Sequence, residues 1–246
     1  MAPRGQLTCG PRHPERTSVL RRFLAPLHPD GFKFVLAGVG ATILLFLLWV
    51  RGGWIAALVT MWLAYFFRDP WRVTPIREGL LISPADGSVV SITSASPPPE
   101  LAMDGAAGTR IGIFLNVFNV HVIRAPLGGR VVALRYTKGR FVNASRDEAS
   151  RHNERLAIRL ATPEGPEIAF VLVAGLLARR IVCDLREGQE VGTGQRIGII
   201  RFGSRVDVYC PESYVPMVIA GQQMVGGETV LADRLAHEPA RQGFAQ

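Results

Sequence analysis

Two patterns of hydrophobic and polar positions divide the chain. From Phe34 to Val50 the run FVLAGVGATILLFLLWV carries no charge, and after Arg51-Gly52-Gly53 a second uncharged run, WIAALVTMWLAYFF, extends from Trp54 to Phe67. Neither run shows the polar stripe of a helix that packs one face on a soluble core. The first is close to the minimum length for a bilayer span and the second is short for one. Two tilted helices in a tight hairpin satisfy this pattern, as does one spanning helix followed by an interfacial one. Residues 34–67 are therefore predicted to form a membrane-associated helical hairpin behind a basic N-terminal segment, residues 1–33.

Beyond Pro70 the period changes. GLLISPADGSVVSI, RIGIFLNVFNVHVIRAP, GGRVVALRY, RLAIRLATPEGPEIAFVLVAG and RRIVCDL are short aliphatic or β-branched runs punctuated by Gly, Pro and Asp, the signature of an antiparallel β domain. Helical spacing is confined to a short stretch near SRDEASRHNERL, and ASPPPELAMDGAAG reads as a surface loop. The rhythm of REGQEVGTGQRIGIIRFGS, with glycines at tight corners, resembles the hairpins of barrel-sandwich domains. It lacks the tip lysine of a swinging-arm carrier. The predicted fold class is mainly β: an antiparallel, barrel-sandwich-like domain over residues 68–246, with an N-terminal hydrophobic helical hairpin.

Charge narrows the choice of partner. Lys and Arg total 28 against 20 Asp and Glu, a formal net charge of +8, which favours an anionic partner. Aromatic residues concentrate in the apolar runs and are not interleaved with Lys and Arg on the strands, so a nucleic-acid surface is not expected. Arg4, Arg12, Arg16, Arg21, Arg22 and Lys33 precede the first run, and Arg68 and Arg72 follow the second. The positive-inside rule then puts both flanks in the cytoplasm, as a hairpin requires. Some thirty residues precede the apolar core, which fits poorly with a cleaved signal peptide. Cys9, Cys183 and Cys210 have no CxxC spacing, so reduced cysteines are expected, with neither a disulfide framework nor a metal site.

Gly203-Ser204, within RIGIIRFGSRVDVYCP, breaks a strand-like run and carries distinctive chemistry. Most Gly-Ser pairs are turns. In a constrained turn, however, the serine hydroxyl can attack the preceding carbonyl and replace the amide by an ester. Loss of the α-proton then cuts the chain by β-elimination and leaves dehydroalanine, which hydrolyses to a pyruvoyl group. Such a ketone condenses with an amine as a Schiff base and accepts electrons from a carbanion.

Four motifs in order, SPADGSVVSI, FLNVFNVHVIRAP, FVNASRDEASRHNER and RFGSRVDVYCP, closely resemble the short prokaryotic form of phosphatidylserine decarboxylase, over roughly Asp69 to Pro216. The resemblance implies a proenzyme that cuts itself between Gly203 and Ser204. Residues 1–203 would form a β chain and 204–246 an α chain, with Ser204 becoming a covalent pyruvoyl cofactor. It further implies catalytic roles for Asp86 and His121. The longer members of the family carry a second histidine where this sequence has Arg124; an arginine stays protonated and is a poor base, so that role does not transfer. His121 is read in an alternating strand, free to titrate near neutrality. Arg124, Arg201 and Arg205 are candidates for holding substrate, whereas His152 is assigned to packing or capping. The implied reaction is decarboxylation of phosphatidylserine to phosphatidylethanolamine at an anionic cell membrane, with the catalytic domain facing the cytoplasm. Higher oligomers are left open. The competing reading is a non-catalytic, membrane-anchored β-barrel adaptor, which predicts an intact chain without a carbonyl.

Overall fold

In a computed structural model the described residues are 25–243, apart from 104–107, 141, 143, 146, 148, 163–164, 176–179, 202, 240 and 242. The basic positions Arg4 to Arg22, together with Cys9, lie outside them. The apolar runs form two antiparallel helices, α1 (Pro29–Leu48) and α2 (Val50–Phe66). α1 begins before its apolar run because His28 caps it, accepting from the Asp30 N–H, and Pro29 stands at the first turn, where its missing N–H costs nothing. The corner is Trp49 alone, in extended conformation at φ −157° and ψ 100°.

Arg51-Gly52-Gly53, between the two uncharged runs, forms the first turn of α2. The two glycines are there for space. A Cβ on Gly52 would lie 2.4 Å from the Trp49 ring, and one on Gly53 would lie 2.5 Å from the Phe46 ring. Midway along the pair, Thr42 and Thr60 bring their hydroxyls within 3.1 Å, each also 2.8 Å from the carbonyl four residues back. At about 1.5 Å per residue α1 reaches roughly 30 Å. It is long and apolar enough to cross a membrane, while α2 is shorter. Leu36, Leu47, Leu48, Trp54 and Leu58 are more than half exposed; this uncovered apolar surface fits membrane association.

The β domain comprises β1 (Leu80–Ile82), β2 (Gly87–Ala95), β3 (Gly108–Leu115), β4 (Val122–Arg124), β5 (Gly129–Thr137), β6 (Arg155–Ala161) and β7 (Ile168–Ala174). It continues with β8 (Ile181–Cys183), β9 (Glu190–Val191), β10 (Arg196–Ile200), β11 (Ser204–Cys210), β12 (Val215–Pro216), β13 (Gln223–Met224) and β14 (Val230–Asp233). A one-turn helix, α3 (Ala149–His152), precedes β6 where a short helix was expected. Eight strands make one curled antiparallel sheet, a half-barrel in the order β13-β2-β3-β11-β7-β6-β5-β9. Two three-stranded sheets, β1-β14-β12 and β4-β10-β8, complete it. The mainly β, barrel-sandwich-like reading with its helical hairpin is therefore correct.

Strand β11 lies at the centre, paired with β3 on one side and β7 on the other. Alternation sends Val206 and Val208 into the main core with Ile111, Ile113, Leu115, Phe170 and Leu172. Val171 and Val173 of β7 face the opposite way, into a smaller cluster with Leu101, Ala133 and Ala157. A third cluster fastens the helices to the domain: Phe66 and Phe67 are fully buried against Val120, Val122 and Ile199. Backbone bonds close the same junction, from the His28 N–H to the Phe67 carbonyl and from the Asp69 N–H to the Pro26 carbonyl.

Candidate active site

The Gly-Ser pair is linked to the third cluster through His121, which accepts from the Gly203 N–H and packs on Phe66. Ser204 is the first residue of β11, opposite Leu115 of β3 and Ala174 of β7. It is fully buried, and its Oγ has no hydrogen-bond partner among the described residues. Buried hydroxyls rarely go unpaired, since desolvation without a partner costs on the order of 1–3 kcal/mol. Gly203 adopts φ +64°. Apart from its chain neighbours, no described residue lies within 4 Å of where its Cβ would be, so the left-handed backbone is what calls for glycine.

His121 meets this corner. The Gly203 N–H donates to its Nε2 at 3.3 Å, and its Nδ1 lies 3.0 Å from the Asn119 carbonyl. Because a carbonyl only accepts, Nδ1 carries the proton and Nε2 presents a lone pair. The motif NVFNVH explains how the ring is aimed. Asn116 and Asn119 brace a tight turn: the Asn119 side chain accepts from the Asn116 N–H, and the Asn116 side chain accepts from the Phe118 N–H. His121 thus lies in the segment just before β4, not within a strand. Its ring packs on Phe66 at the end of α2, with centroids 4.3 Å apart. Burial pushes its pKa down to about 4, against the pull of the Asn119 carbonyl and with help from the charge of Arg68. The expectation of titration near neutrality is corrected accordingly: the enclosed imidazole is neutral at pH 7.

Two signals for this site escaped sequence reasoning. Gly175, at the end of β7, stands against the Gly203 carbonyl; a Cβ there would come within 2.1 Å of its oxygen. Asn153 is fully buried, donates to the Ala174 carbonyl at 2.7 Å and bonds both backbone groups of Val142. It ties Val142 to the end of β7. His152, next to it, is exposed. A lone glycine after an apolar strand is the only mark that Gly175 leaves in the sequence.

The other expected residues lie around this centre in different ways. Asp86 accepts two hydrogen bonds from Arg72, at 2.8 and 2.9 Å, and one from the Gly226 N–H at 2.7 Å. Both His121 nitrogens are already engaged, so orienting the ring falls to Asn119 rather than to Asp86. Burial raises the Asp86 carboxyl above its usual range, opposed by Arg72, the Gly226 N–H and Arg68. Arg124 is buried and committed to the carbonyls of Gly194 and Pro70 and to Asp69. Arg201 pairs with Asp30 at the start of α1 and stands over the Phe34 ring. Arg205 projects to the face of β11 opposite Ser204, against Asp207. Arg68, at the foot of α2, lies over the Tyr65 ring and donates to the carbonyls of Tyr65 and Phe118. Its charge acts on both His121 and Asp86. The structure therefore joins Gly203, Ser204 and His121, and groups Asp86 with the arginines of the post-hairpin segment.

Fold and site together define a β half-barrel standing on an apolar helix pair, with a buried glycine-serine junction where the two meet. The profile of the phosphatidylserine decarboxylase family matches residues 59–232. The chain is 53% identical over 228 residues to the phosphatidylserine decarboxylase proenzyme of Cereibacter sphaeroides, spanning 93% of this chain and 98% of that protein. Against the proenzyme of Ruegeria pomeroyi it is 54% identical, spanning 86% and 96%; against that of Paramagnetospirillum magneticum, 51%, spanning 93% and 95%. The chain belongs to the phosphatidylserine decarboxylase family, as its motifs had implied.

Proposed function

We propose that this protein decarboxylates phosphatidylserine to phosphatidylethanolamine, using a pyruvoyl group that it makes from its own Ser204. The observation that carries the reading is the buried Ser204 Oγ, without a partner among the described residues, following a glycine held at φ +64° beside a neutral histidine. A hydroxyl left without a partner is free to attack, and the lone pair of His121 is one residue away to take its proton. In that step His121 exchanges the Gly203 N–H for the Ser204 hydroxyl. Oγ then bonds to the Gly203 carbonyl carbon, and the Gly203–Ser204 amide nitrogen leaves as an amine. Removal of the α-proton of residue 204 expels the Gly203 carboxylate, and water converts the dehydroalanine to pyruvoyl with release of ammonia. Chains 1–203 and 204–246 stay associated because β11 remains paired with β3 and β7. The relatives' designation as proenzymes agrees with such processing.

Once formed, the group supplies a ketone that condenses with the head-group amine and takes up the electrons released as carbon dioxide departs. The chain's own residues do the rest. Nε2 of His121 collects and returns protons, with Nδ1 anchored on Asn119. Arg68 and Arg72 stand where an anionic head group would arrive, and Asp86 serves by holding Arg72. The lipid reaches them along the helices: Phe66 touches both the apolar cluster at the hairpin foot and the His121 ring. In this reading the hairpin sits in the cell membrane and the β domain on its cytoplasmic side. Denaturing intact-mass measurement of the detergent-extracted protein, with and without a carbonyl-reactive amine, tests the proposal. Two chains meeting at 203 and 204, the smaller one probe-reactive, are expected. A single unmodified chain in a folded sample overturns it.

A further inference from the structure

The back of β11 holds an ion network that the reaction does not use. Arg205 has no solvent exposure, although it sits among the small apolar residues of the second cluster. Its Nε donates to Asp207 at 2.5 Å, and its Nη2 donates to Ser91 and pairs with Asp147, both at 2.8 Å. Asp147 also accepts from Ser91 and pairs with Arg110, both at 3.2 Å. Across the sheet Gly112 yields the room, because a Cβ there would come 2.2 Å from the Arg205 Nη2. Buried ion pairs are poor sources of stability, and an apolar side chain would serve a strand interior as well or better. The placement of this one relative to the cut is what gives it meaning. Ser91 and Asp147 belong to residues 1–203, whereas Arg205 and Asp207 belong to 204–246.

Strand ends open with little free energy, and a cut before Ser204 would turn the middle of a continuous chain into such an end. We propose that Arg205 is a positioning residue: its clasp on Asp147 and Ser91 ties the second residue of the new chain to the old one. The terminus formed from Ser204 is thereby kept facing His121. This rests on the self-cleavage reading above. Before the cut the peptide bond to Gly203 does the same work, so the clasp matters for turnover and not for processing.

The test uses the full-length protein in detergent with phosphatidylserine micelles. Asp147→Asn is the mild variant, since Asp147 is 54% exposed and Arg205 keeps Asp207; Asp147→Glu is the restoring one and Arg205→Lys the harsher. Intact mass reads cleavage, steady-state kinetics separates kcat from KM, and hydrogen exchange reads the first residues of β11. Asp147→Asn is expected to cleave fully, with kcat down roughly tenfold, KM within about twofold and faster exchange at 204–206. Asp147→Glu should recover most of kcat, and Arg205→Lys should lose more than Asp147→Asn. Unchanged kcat and exchange in fully cleaved Asp147→Asn and Arg205→Lys would overturn the clasp and leave the proposed function standing. Parallel loss of cleavage and turnover would also overturn it, by assigning the network to folding of the precursor. An uncut wild-type chain would remove both proposals.

Discussion

The two faces of β11 bury polar groups of different kinds, a neutral hydroxyl on one and a charge paired with carboxylates on the other. Toward the core, Ser204 buries a hydroxyl with no partner among the described residues, beside a histidine kept neutral by enclosure. One residue on, Arg205 buries a full charge against Asp207, Asp147 and Ser91, with its Nη1 and one Asp207 oxygen left without a hydrogen bond among the described residues. A fold tolerates an orphaned polar group at a cost of on the order of 1–3 kcal/mol, and tolerates a buried charge only when it is paired. The first face thus has a reactive group whose loss the fold can accept; the second has a charged group that depends on its nearest carboxylate.

Ser204→Ala is the sharpest way to test that contrast. It should abolish cleavage and decarboxylation while leaving the melting temperature unchanged or raised, because the removed hydroxyl had no partner. Mass spectrometry and a thermal melt on the same sample read both. Phosphatidylethanolamine formation by this variant, or a marked drop in stability, would place Ser204 on the structural side of the comparison. Next in size is His121→Ala, expected to slow cleavage by about 10²–10⁴-fold, the usual contribution of a positioned base. Time-resolved denaturing gels of newly synthesised chain measure the rate, and wild-type cleavage would remove His121 from the site.

On the other face, Asp207→Ala takes the nearest counter-charge from Arg205 and leaves Asp147 as its remaining carboxylate partner. A loss of about 3 kcal/mol in unfolding free energy is expected, read by denaturant titration of the detergent-solubilised protein. A change below about 0.5 kcal/mol would mean that the buried charge does not depend on this pair.

The strand's two-residue period already separated these faces in the sequence, and it would have set Arg205 apart from Ser204 had it been applied through the Gly-Ser break. The apolar runs, the β punctuation and the four ordered motifs were legible because each is a local pattern. Those motifs also contain Gly203 and His121, which meet in the structure. What was not legible depends on contacts between distant segments. Gly52 and Gly53 look like a turn, yet they make room for aromatic rings within the hairpin. Gly175 carries no chemistry of its own and matters only because the Gly203 carbonyl rests on it. Asn119 orients His121 through a backbone carbonyl, which any residue type offers, and Asp86 finds Arg72 across fourteen residues of chain.

The smallest expected effect is a flat line. An exposed histidine would lose its base form below about pH 6.5, and cleavage driven by it would fall through that value. His121 is held to about 4 by burial, with the charge of Arg68 adding to it, so its lone pair survives well into acid. For a Ser204→Thr chain, in which the added methyl group is expected to slow cleavage enough to follow it, the rate should change less than about twofold between pH 7.5 and 5.5. Stability should behave differently over the same range. With the folded pKa depressed, the unfolded chain takes up the proton first as pH falls. His121's contribution is therefore complete above about 6.5 and is lost progressively as pH drops toward 4. A melting temperature that drifts down while the cleavage rate stays level is the signature of a base kept ready by burial. An inflection in the rate near 6.5 would mean instead that the histidine acts from an open, hydrated state, and the contrast between the two faces of β11 would lose its first half.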